Sequence, residues 1–487
     1  MKRIIKRCLL AMGVGIISVS AKAQLSTNPD KFLGNITTGW PGSMDTDGFK
    51  FLDYWNQLTP ENATKWESIE GNKQGKFSWT NADKCYKFAK ENNIPFKFHC
   101  LVWGSQYPQW VKKLTAEQRY DAIVTWMDAV KERYPDLQLI DVVNEAVEGH
   151  QKDTHYMKEA LGGGGETGYD WIIKAFEMAY ERWPDAILIY NDFNTFQWNT
   201  DQFIDLVKTL RDAGAPIDAY GCQSHDMLSL DGNNVAPTFK SAMDKMHKEL
   251  MMPMYSSEYD VGTDNDNLQL KAYKEQIPYM WEADYCAGIT LWGWIYGKTW
   301  TTNGNSGLIK KKEERPALEW LREYMQSDAA KNAKSPFPGQ VKEASVYIKP
   351  ESLKAHQGEA LPIKVSVRLK TKTIEKVEMY VNDKPVALGT TENVPQSGDT
   401  QIYEASYTPS KTGKHTIKAV VTATDGTTYE RLSGFKASKS TSIQTINSEV
   451  TPSEVYTLQG VKVGNSSQWD ALPRGIYIVN GQKKVKK

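Results

Sequence analysis

The sequence is short of cysteine and carries no excess of either charge. Only 5 of its 487 residues are Cys, and no two stand in C-x-x-C spacing, which argues against a structural zinc site or a redox pair. Lys+Arg and Asp+Glu are both 59, so the formal net charge is zero. A nucleic-acid binder normally shows a basic excess, and none is present. The same balance gives no support to membrane-surface binding. The "GGGG" at 162–165 lacks the Lys-Ser/Thr of a phosphate loop, and no H-E-x-x-H metal motif occurs. Beyond the first two dozen residues, no run is long and apolar enough to span a membrane.

The start, "MKRIIKRCLLAMGVGIISVSAKAQ", has a basic region from Lys2 to Arg7, an apolar stretch from Cys8 to Val19, and an A-x-A site at Ala21-Lys22-Ala23. It reads as a signal peptide, residues 1–23. The mature protein is therefore expected to be secreted or held at the cell surface. Export permits disulfides, but spacing does not pair Cys85, Cys100, Cys222 and Cys286. Buried free thiols are the preferred reading.

Aromatic residues are plentiful, with 16 Trp and 24 Tyr. Their faces fill cores and also stack on sugar rings or bases. From Pro29 to Ser327, eight apolar runs alternate with longer amphipathic ones: "FLGNITT", "YWNQLTPE", "PFKFHCLVW", "LQLIDVVNE", "AILIYNDFN", "IDAYGCQSH", "MPMYSSEYDV" and "AGITLWGW". Eight strand–helix units over roughly 300 residues predict an α/β fold of the (β/α)₈ barrel type across 29–327. A doubly wound sheet is the alternative, weakened because no Gly-rich turn follows the first strand. Polar residues gather where the runs end, at Glu61, His99, Asn144-Glu145, Asn191-Asp192, Gln223-His225, Glu258 and Trp292. In a barrel all those ends open on one face.

Residues 328–341, with "SPFPGQ" at 335–340, read as a linker. Over 342–438 the period changes to two, as in "LPIKVSVRLK" and "HTIKAVVTA", which predicts a small all-β sandwich. It resembles the immunoglobulin-like modules appended to many bacterial secreted glycosidases, and a spacer role is favoured. Residues 439–487 comprise a polar segment expected to be flexible and a short β tail. That tail, "VYTLQGVKV…LPRGIYIVNGQKKVKK", resembles the C-terminal sorting tails of the type IX secretion machinery, which implies a secretion-machinery partner.

Two carboxylates stand out. Glu145 ends the fourth apolar run and Glu258 the seventh, so a barrel places both on one rim. Two carboxylates facing one cavity can divide their titrations, one staying protonated while the other is an anion. Glycoside hydrolysis needs that division. Glu148, three residues beyond Glu145, continues into a loop and nothing nearby sets it apart. Asn144 stands beside the first acid, His225 can contact the second, and Trp292 and Trp300 can wall a sugar ring.

The motifs "LTPENATKWE", "FHCLVWGSQYPQWV", "DVVNEAV", "YNDFN", "GCQSHD", "SEYDVG" and "LWGW…W…GLI" follow one another in this order. The chain from about Phe32 to Met325 resembles the glycoside hydrolase family 10 xylanases. The resemblance implies retaining hydrolysis of internal β-1,4 bonds of xylan or xylo-oligosaccharides, with neither metal nor cofactor. Glu145 would be the general acid/base and Glu258 the nucleophile. Glu61, Asn62, Lys65, His99, Trp103, Asn144, Phe193, Gln223, His225, Trp292 and Trp300 would bind sugar. The chain departs from the family pattern at Gly104, in place of a histidine, and at Phe193, in place of a tyrosine. Tyr296 stands about where the family carries an aspartate. Two other readings stay open: the same machinery on another β-1,4-glycan, and a glycan-binding protein without turnover.

Overall fold

The computed structural model describes residues 24–225, 227–228, 236–389, 398–439, 454–465, 469, 471–479 and 481–486. The expected signal peptide and most of the polar segment after Ser438 lie outside these residues. Eight parallel strands run through residues 32–291: β1 (Phe32–Ile36), β2 (Leu58–Thr59), β3 (Lys97–Trp103), β4 (Leu139–Asn144), β5 (Ile187–Asp192), β6 (Ala219–Cys222), β7 (Met254–Tyr259) and β8 (Cys286–Leu291). Their order is β2-β1-β8-β7-β6-β5-β4-β3. A parallel bridge from Leu58 to Phe96 joins the two ends, and Leu58 N–H donates to the Pro95 carbonyl at 3.0 Å. This closure makes the sheet a barrel and excludes the doubly wound alternative.

Helices wrap the barrel: α1 (Trp66–Glu70), α2 (Thr80–Glu91), α3 (Ala116–Arg133), α4 (Thr154–Ala160), α5 (Asp170–Arg182), α6 (Thr200–Asp212), α7 (Ala236–Leu250), α8 (Asp266–Glu282) and α9 (Pro316–Met325). Every residue of β4, β5, β7 and β8 is buried, as expected of parallel strands covered on both faces. Helix α3 starts at a capping box, Thr115 with Gln118, which satisfies N–H groups the first turn leaves open.

The second strand is far shorter than "YWNQLTPE" suggests. Pro60 cannot donate to a ladder, and Tyr54 and Trp55 pack on Trp294 with ring centroids 5.3 and 6.0 Å apart. Aromatic packing takes those residues instead of a strand.

The barrel floor explains the segment expected to be a linker. Phe32, Leu139, Ile187, Ile189, Ala219, Tyr255 and Ala287 form one buried cluster, and Phe337 packs against it. Gln340 is 3% exposed. Its Oε1 accepts from Tyr255 Oη at 2.9 Å, and its Nε2 donates to the carbonyls of Ala287 at 3.0 Å and Asp30 at 3.2 Å. Two residues on, Lys342 Nζ meets Asp218 Oδ2 at 2.7 Å and the Ala186 carbonyl at 3.2 Å. The helix before this segment ends at Asn332, and Pro338 opens a single 3-10 turn to Gln340, so the chain there covers apolar strand ends that would otherwise face water.

Downstream the chain is all β. Ala344–Pro350, Leu361–Leu369 and Gln401–Tyr407 form a three-stranded antiparallel sheet. A five-stranded sheet includes Ile374–Val381, Gly413–Ala423 and Thr428–Ser438. Along Leu361–Leu369 and Gly413–Ala423 alternate side chains are buried, the period-two pattern of a sheet with one covered face. Arg368 donates to both oxygens of Asp185, at 2.7 and 2.9 Å.

The chain divides into two compact units. One comprises Ala355–Ala360, Thr408–Gly413 and Ala437–Lys487, and the other takes the rest. The smaller unit contains a four-stranded antiparallel sheet of Glu454–Thr457, Lys462–Asn465, Gly475–Val479 and Gln482–Lys486. Val455, Tyr477 and Val479 are its buried residues, with Trp469 and Leu472 against them. Among the described residues, no helix is long and apolar enough to cross a membrane. Cys85, Cys100, Cys222 and Cys286 are buried and unpaired.

Gln340→Ala leaves the Tyr255 hydroxyl without its partner inside the floor and removes one donor from the Ala287 carbonyl. The expected loss is about 1–3 kcal/mol of stability, read as a lower denaturant midpoint. An unchanged midpoint would show that the floor contacts add nothing.

Candidate active site

Glu145 follows the last residue of β4, and the apolar run before it fixes where it emerges. Its φ is +56°, a left-handed conformation uncommon outside glycine, which costs on the order of 1–3 kcal/mol and is held by its surroundings. Here the Glu145 N–H donates to the Asn191 carbonyl at 2.8 Å. The pairing of β4 with β5 shifts between Asp141 and Val143, a bulge that re-aims the strand end.

The Glu145 side chain is 7% exposed and surrounded by donors. Gln223 Nε2 donates to Oε1 at 2.7 Å, Trp103 Nε1 to Oε2 at 2.7 Å, and Gln151 Nε2 also to Oε2. Burial pushes the carboxyl pKa up to about 7, helped by the charges of Glu258 and Asp192; the bonds from Gln223 and Trp103 oppose the rise without cancelling it.

Glu258, on β7, is 3% exposed and titrates in the opposite direction. Burial alone would raise its pKa. The hydrogen bond from His225 and the positive charges of His99, His225 and Lys97 outweigh burial and take it down to about 2. His225 bridges two acids: Nε2 lies 3.1 Å from Glu258 Oε2, and Nδ1 lies 2.7 Å from Asp260 Oδ2. Desolvation disfavours its cation, but the Asp260 charge and the bonds to Asp260 and Glu258 raise its pKa to about 10. Trp300 Nε1 donates to Asp260 Oδ2 at 2.7 Å. On the other side of Glu258, Asn191 Nδ2 donates to Oε1 at 2.8 Å and to Asn144 Oδ1 at 2.9 Å.

Behind the acids lies a fully buried trio on β3 and β4. His99 Nδ1 is 2.8 Å from Asp141 Oδ2, and Lys97 Nζ is 3.0 Å from the same oxygen. The other residues expected at the site gather on the same rim. Lys65 Nζ donates to Asn62 Oδ1 at 3.0 Å and Gln106 Oε1 at 2.7 Å, and sits 4.9 Å from the Trp103 ring centroid. Burial lowers its pKa, against the nearby Cys100, Glu258, Glu61 and Glu145. Burial raises that of Glu61, opposed by Lys65 and aided by Glu258. Trp292 presents its ring edge-on to His99 and His225 at 5.4 and 6.2 Å. Trp300 is 53% exposed, a bare indole face at the rim. Asn144 Nδ2 is buried without a partner among the described residues. Phe193 stacks on His150 at 3.9 Å, and His150 Nδ1 is 2.5 Å from Asp192 Oδ1. Glu148 is exposed. Among the described residues, no three His, Cys, Asp or Glu side chains are arranged to hold a metal ion.

Several contributors were not among the residues expected from sequence. Asp260, Asp141 and Lys97 are charged residues within the apolar runs that give β7, β4 and β3, and that misfit is their signal. Gln106 lies within a motif already quoted. Gln151 and His150 sit on the loop after β4, where sequence carries no periodicity to place them.

The model of glycosyl hydrolase family 10 matches residues 36–326. The chain belongs to glycosyl hydrolase family 10. It is 40% identical over 292 residues to endo-1,4-beta-xylanase B of Cellvibrio japonicus, a match covering 60% of this chain and 45% of that relative. It is 30% identical over 295 residues to endo-1,4-beta-xylanase A of Caldicellulosiruptor saccharolyticus, covering 55% and 82% of the two. The chain thus spans less than half the length of the Cellvibrio protein. Among solved structures, a psychrophilic glycoside hydrolase family 10 endo-beta-1,4-xylanase superposes with a TM-score of 0.52 at 26% identity, covering 60% of this chain and 97% of that one.

The three departures of this family 10 chain have local partners. A β-carbon on Gly104 would meet Thr154 Oγ1 at 2.4 Å and its backbone nitrogen at 2.7 Å, so no histidine fits there. At Phe193, where the family pattern is expected to carry a tyrosine, the ring stacks on His150. Tyr296 Oη donates to Asp264 Oδ1 at 2.5 Å, and Lys310 lies 4.3 Å from its ring centroid.

Asp260→Asn removes the charge that does most to keep His225 protonated. The His225 titration, followed by NMR of the ring, is expected to fall by about two units. A titration that stays put would mean Asp260 is not what holds the cation.

Proposed function

We propose that this chain is a retaining endo-1,4-beta-xylanase. The observation that carries the reading is the division of titration on one rim, with Glu145 raised to about 7 and Glu258 lowered to about 2. Near neutral pH one is available as an acid while the other is an anion. Glu145 donates its proton to the glycosidic oxygen as Glu258 attacks the anomeric carbon, and the aglycone leaves. The resulting ester removes the Glu258 charge, so Glu145 loses a neighbour that raised its pKa and becomes a better base. Glu145 then takes a proton from water, the water oxygen attacks the anomeric carbon, and Glu258 leaves as carboxylate.

The substrate contacts follow from the same rim. Asn62, Lys65, His99 and the free Nδ2 of Asn144 offer donors to sugar hydroxyls, and Glu61 and Gln223 add polar contacts. Trp103, Phe193, Trp292 and Trp300 offer apolar faces. Both acids persist, which weighs against a binding protein without turnover. Relative rates on xylo- and cello-oligosaccharides discriminate xylan from another β-1,4-glycan.

Glu145→Ala is expected to lower turnover on xylan by about 10²–10⁴-fold and to lose the alkaline limb near pH 7. The limb has this sign because only protonated Glu145 serves the first step. Glu258→Ala is expected to abolish turnover. Initial rates on xylan across pH check both, and near wild-type turnover in either variant contradicts the assignment. NMR of the first product anomer checks retention.

The ends of the chain support a second part of the proposal. Residues 1–23 have the n-region, apolar core and cleavage site of a signal peptide, residues 342–438 act as an immunoglobulin-like spacer following a 29–327 catalytic barrel, and the C-terminal residues act as a sorting tail for export. The four-stranded sheet around Val455 and Tyr477 gives that tail a folded body. Deleting residues 454–487 is expected to leave xylan hydrolysis in cell extracts intact while removing it from the culture medium. Unchanged export contradicts the sorting role.

A further inference from the structure

Gly104 and Gln151 belong to different loops, yet both bear on one carboxylate. Gly104 follows Trp103, whose indole N–H donates to Glu145 Oε2. Its bare α-carbon lies against the first residue of α4, Thr154. The loop leading to Thr154 brings Gln151 onto that same Oε2. The loop is tied down on both sides of Gln151. Val147 N–H donates to Asp192 Oδ2 at 3.0 Å, and His150 Nδ1 meets Asp192 Oδ1. Beyond it, Asp153 Oδ2 accepts from Tyr107 Oη at 2.9 Å and pairs with Lys112 Nζ at 2.8 Å.

A carboxylate has about four in-plane acceptor sites, two on each oxygen. Among the described residues, Oε2 of Glu145 takes two donors, Trp103 and Gln151, and Oε1 takes one, Gln223. The remaining site is on Oε1. We infer that Gln151 is a positioning residue which, with Trp103, fills Oε2 and leaves Oε1 as the oxygen that carries the transferable proton. The glycine at 104 is the condition for this, because any side chain there pushes away the loop that delivers Gln151. This inference rests on Glu145 being the acid/base.

The charged and titratable groups that face Glu145 are Glu258 on β7, Asp192 on β5, Cys100 on β3, Lys65 before α1 and His150 on its own loop. None of them is altered by replacing the neutral Gln151. Losing a donor to the anion raises the carboxyl pKa.

The test is the pH profile of kcat/KM on xylan for Gln151→Met, which keeps the volume and removes the donor. The alkaline limb is expected to move up by about one pH unit, with the acidic limb in place. Gly104→Ala is expected to move the same limb in the same direction, and the double variant to move it no further than Gln151→Met alone. A Gln151→Met profile with the limb unmoved, whether or not kcat falls, overturns the positioning role. Full additivity in the double variant overturns the link to Gly104. Circular dichroism identifies any variant that fails to fold, and Gln151→Leu then replaces Gln151→Met. Glu145→Ala separates the two readings: if the wild-type limb survives in that variant, the acid/base assignment fails and not the role of Gln151 alone.

Discussion

A carboxylate buried in a barrel mouth keeps its charge only if something offsets desolvation. At Glu258 that is the hydrogen bond from His225, reinforced by the charges of His225, His99 and Lys97. His225 in turn is charged because Asp260 lies 2.7 Å from its other nitrogen. Acid, histidine and acid form one chain of alternating sign, and Trp300 fixes its outer end through Asp260 Oδ2. Among the described residues, Glu145 has no such cation in bonding contact. Its partners are neutral donors, so burial dominates and its proton stays on to near neutrality. The difference between the two glutamates is one of neighbours, since both are buried to a similar degree.

The scaffold serves to hold those neighbours still. Asn191 on β5 reaches both Glu258 and Asn144, and Ser257 Oγ donates to Asn191 Oδ1 at 2.5 Å. The strained backbone at Glu145 and the bulge in β4 are tolerable because the strands beneath are packed on all sides. The floor closed by Phe337 and Gln340 completes that packing at the opposite end of the barrel. Precise placement matters because electrostatic contributions fall away quickly once groups separate or water enters.

The strand runs and their polar ends made the barrel legible in sequence, because each apolar run is long enough to cross the sheet and each ends at the same rim. The ordered motifs carried the two acids and most of the residues proposed to contact sugar. What stayed hidden depends on contacts between distant segments. Gln151 lies on a loop without periodicity, and only the fold reveals that Gly104 makes room for it. Asp141 and Asp260 were visible as acids in apolar runs, but their partners, His99 and His225, are 42 and 35 residues away. "SPFPGQ" reads as a break on local chemistry alone, whereas the uncovered ends of the barrel strands make it a plug. In "YWNQLTPE" the aromatics satisfy strand propensity and helix packing equally, and Trp294 decided the matter.

The central claim is that two carboxyl groups on one rim titrate far apart. Carbon-13 NMR of the glutamate carboxyls, assigned with the Glu145→Gln and Glu258→Gln variants, measures this directly. Glu145 is expected to titrate at about 7 and Glu258 at about 2, with the Glu145 value falling in Glu258→Gln because a neighbouring negative charge has gone. Two overlapping titrations near the ordinary glutamate value, or the reverse order, would contradict the account.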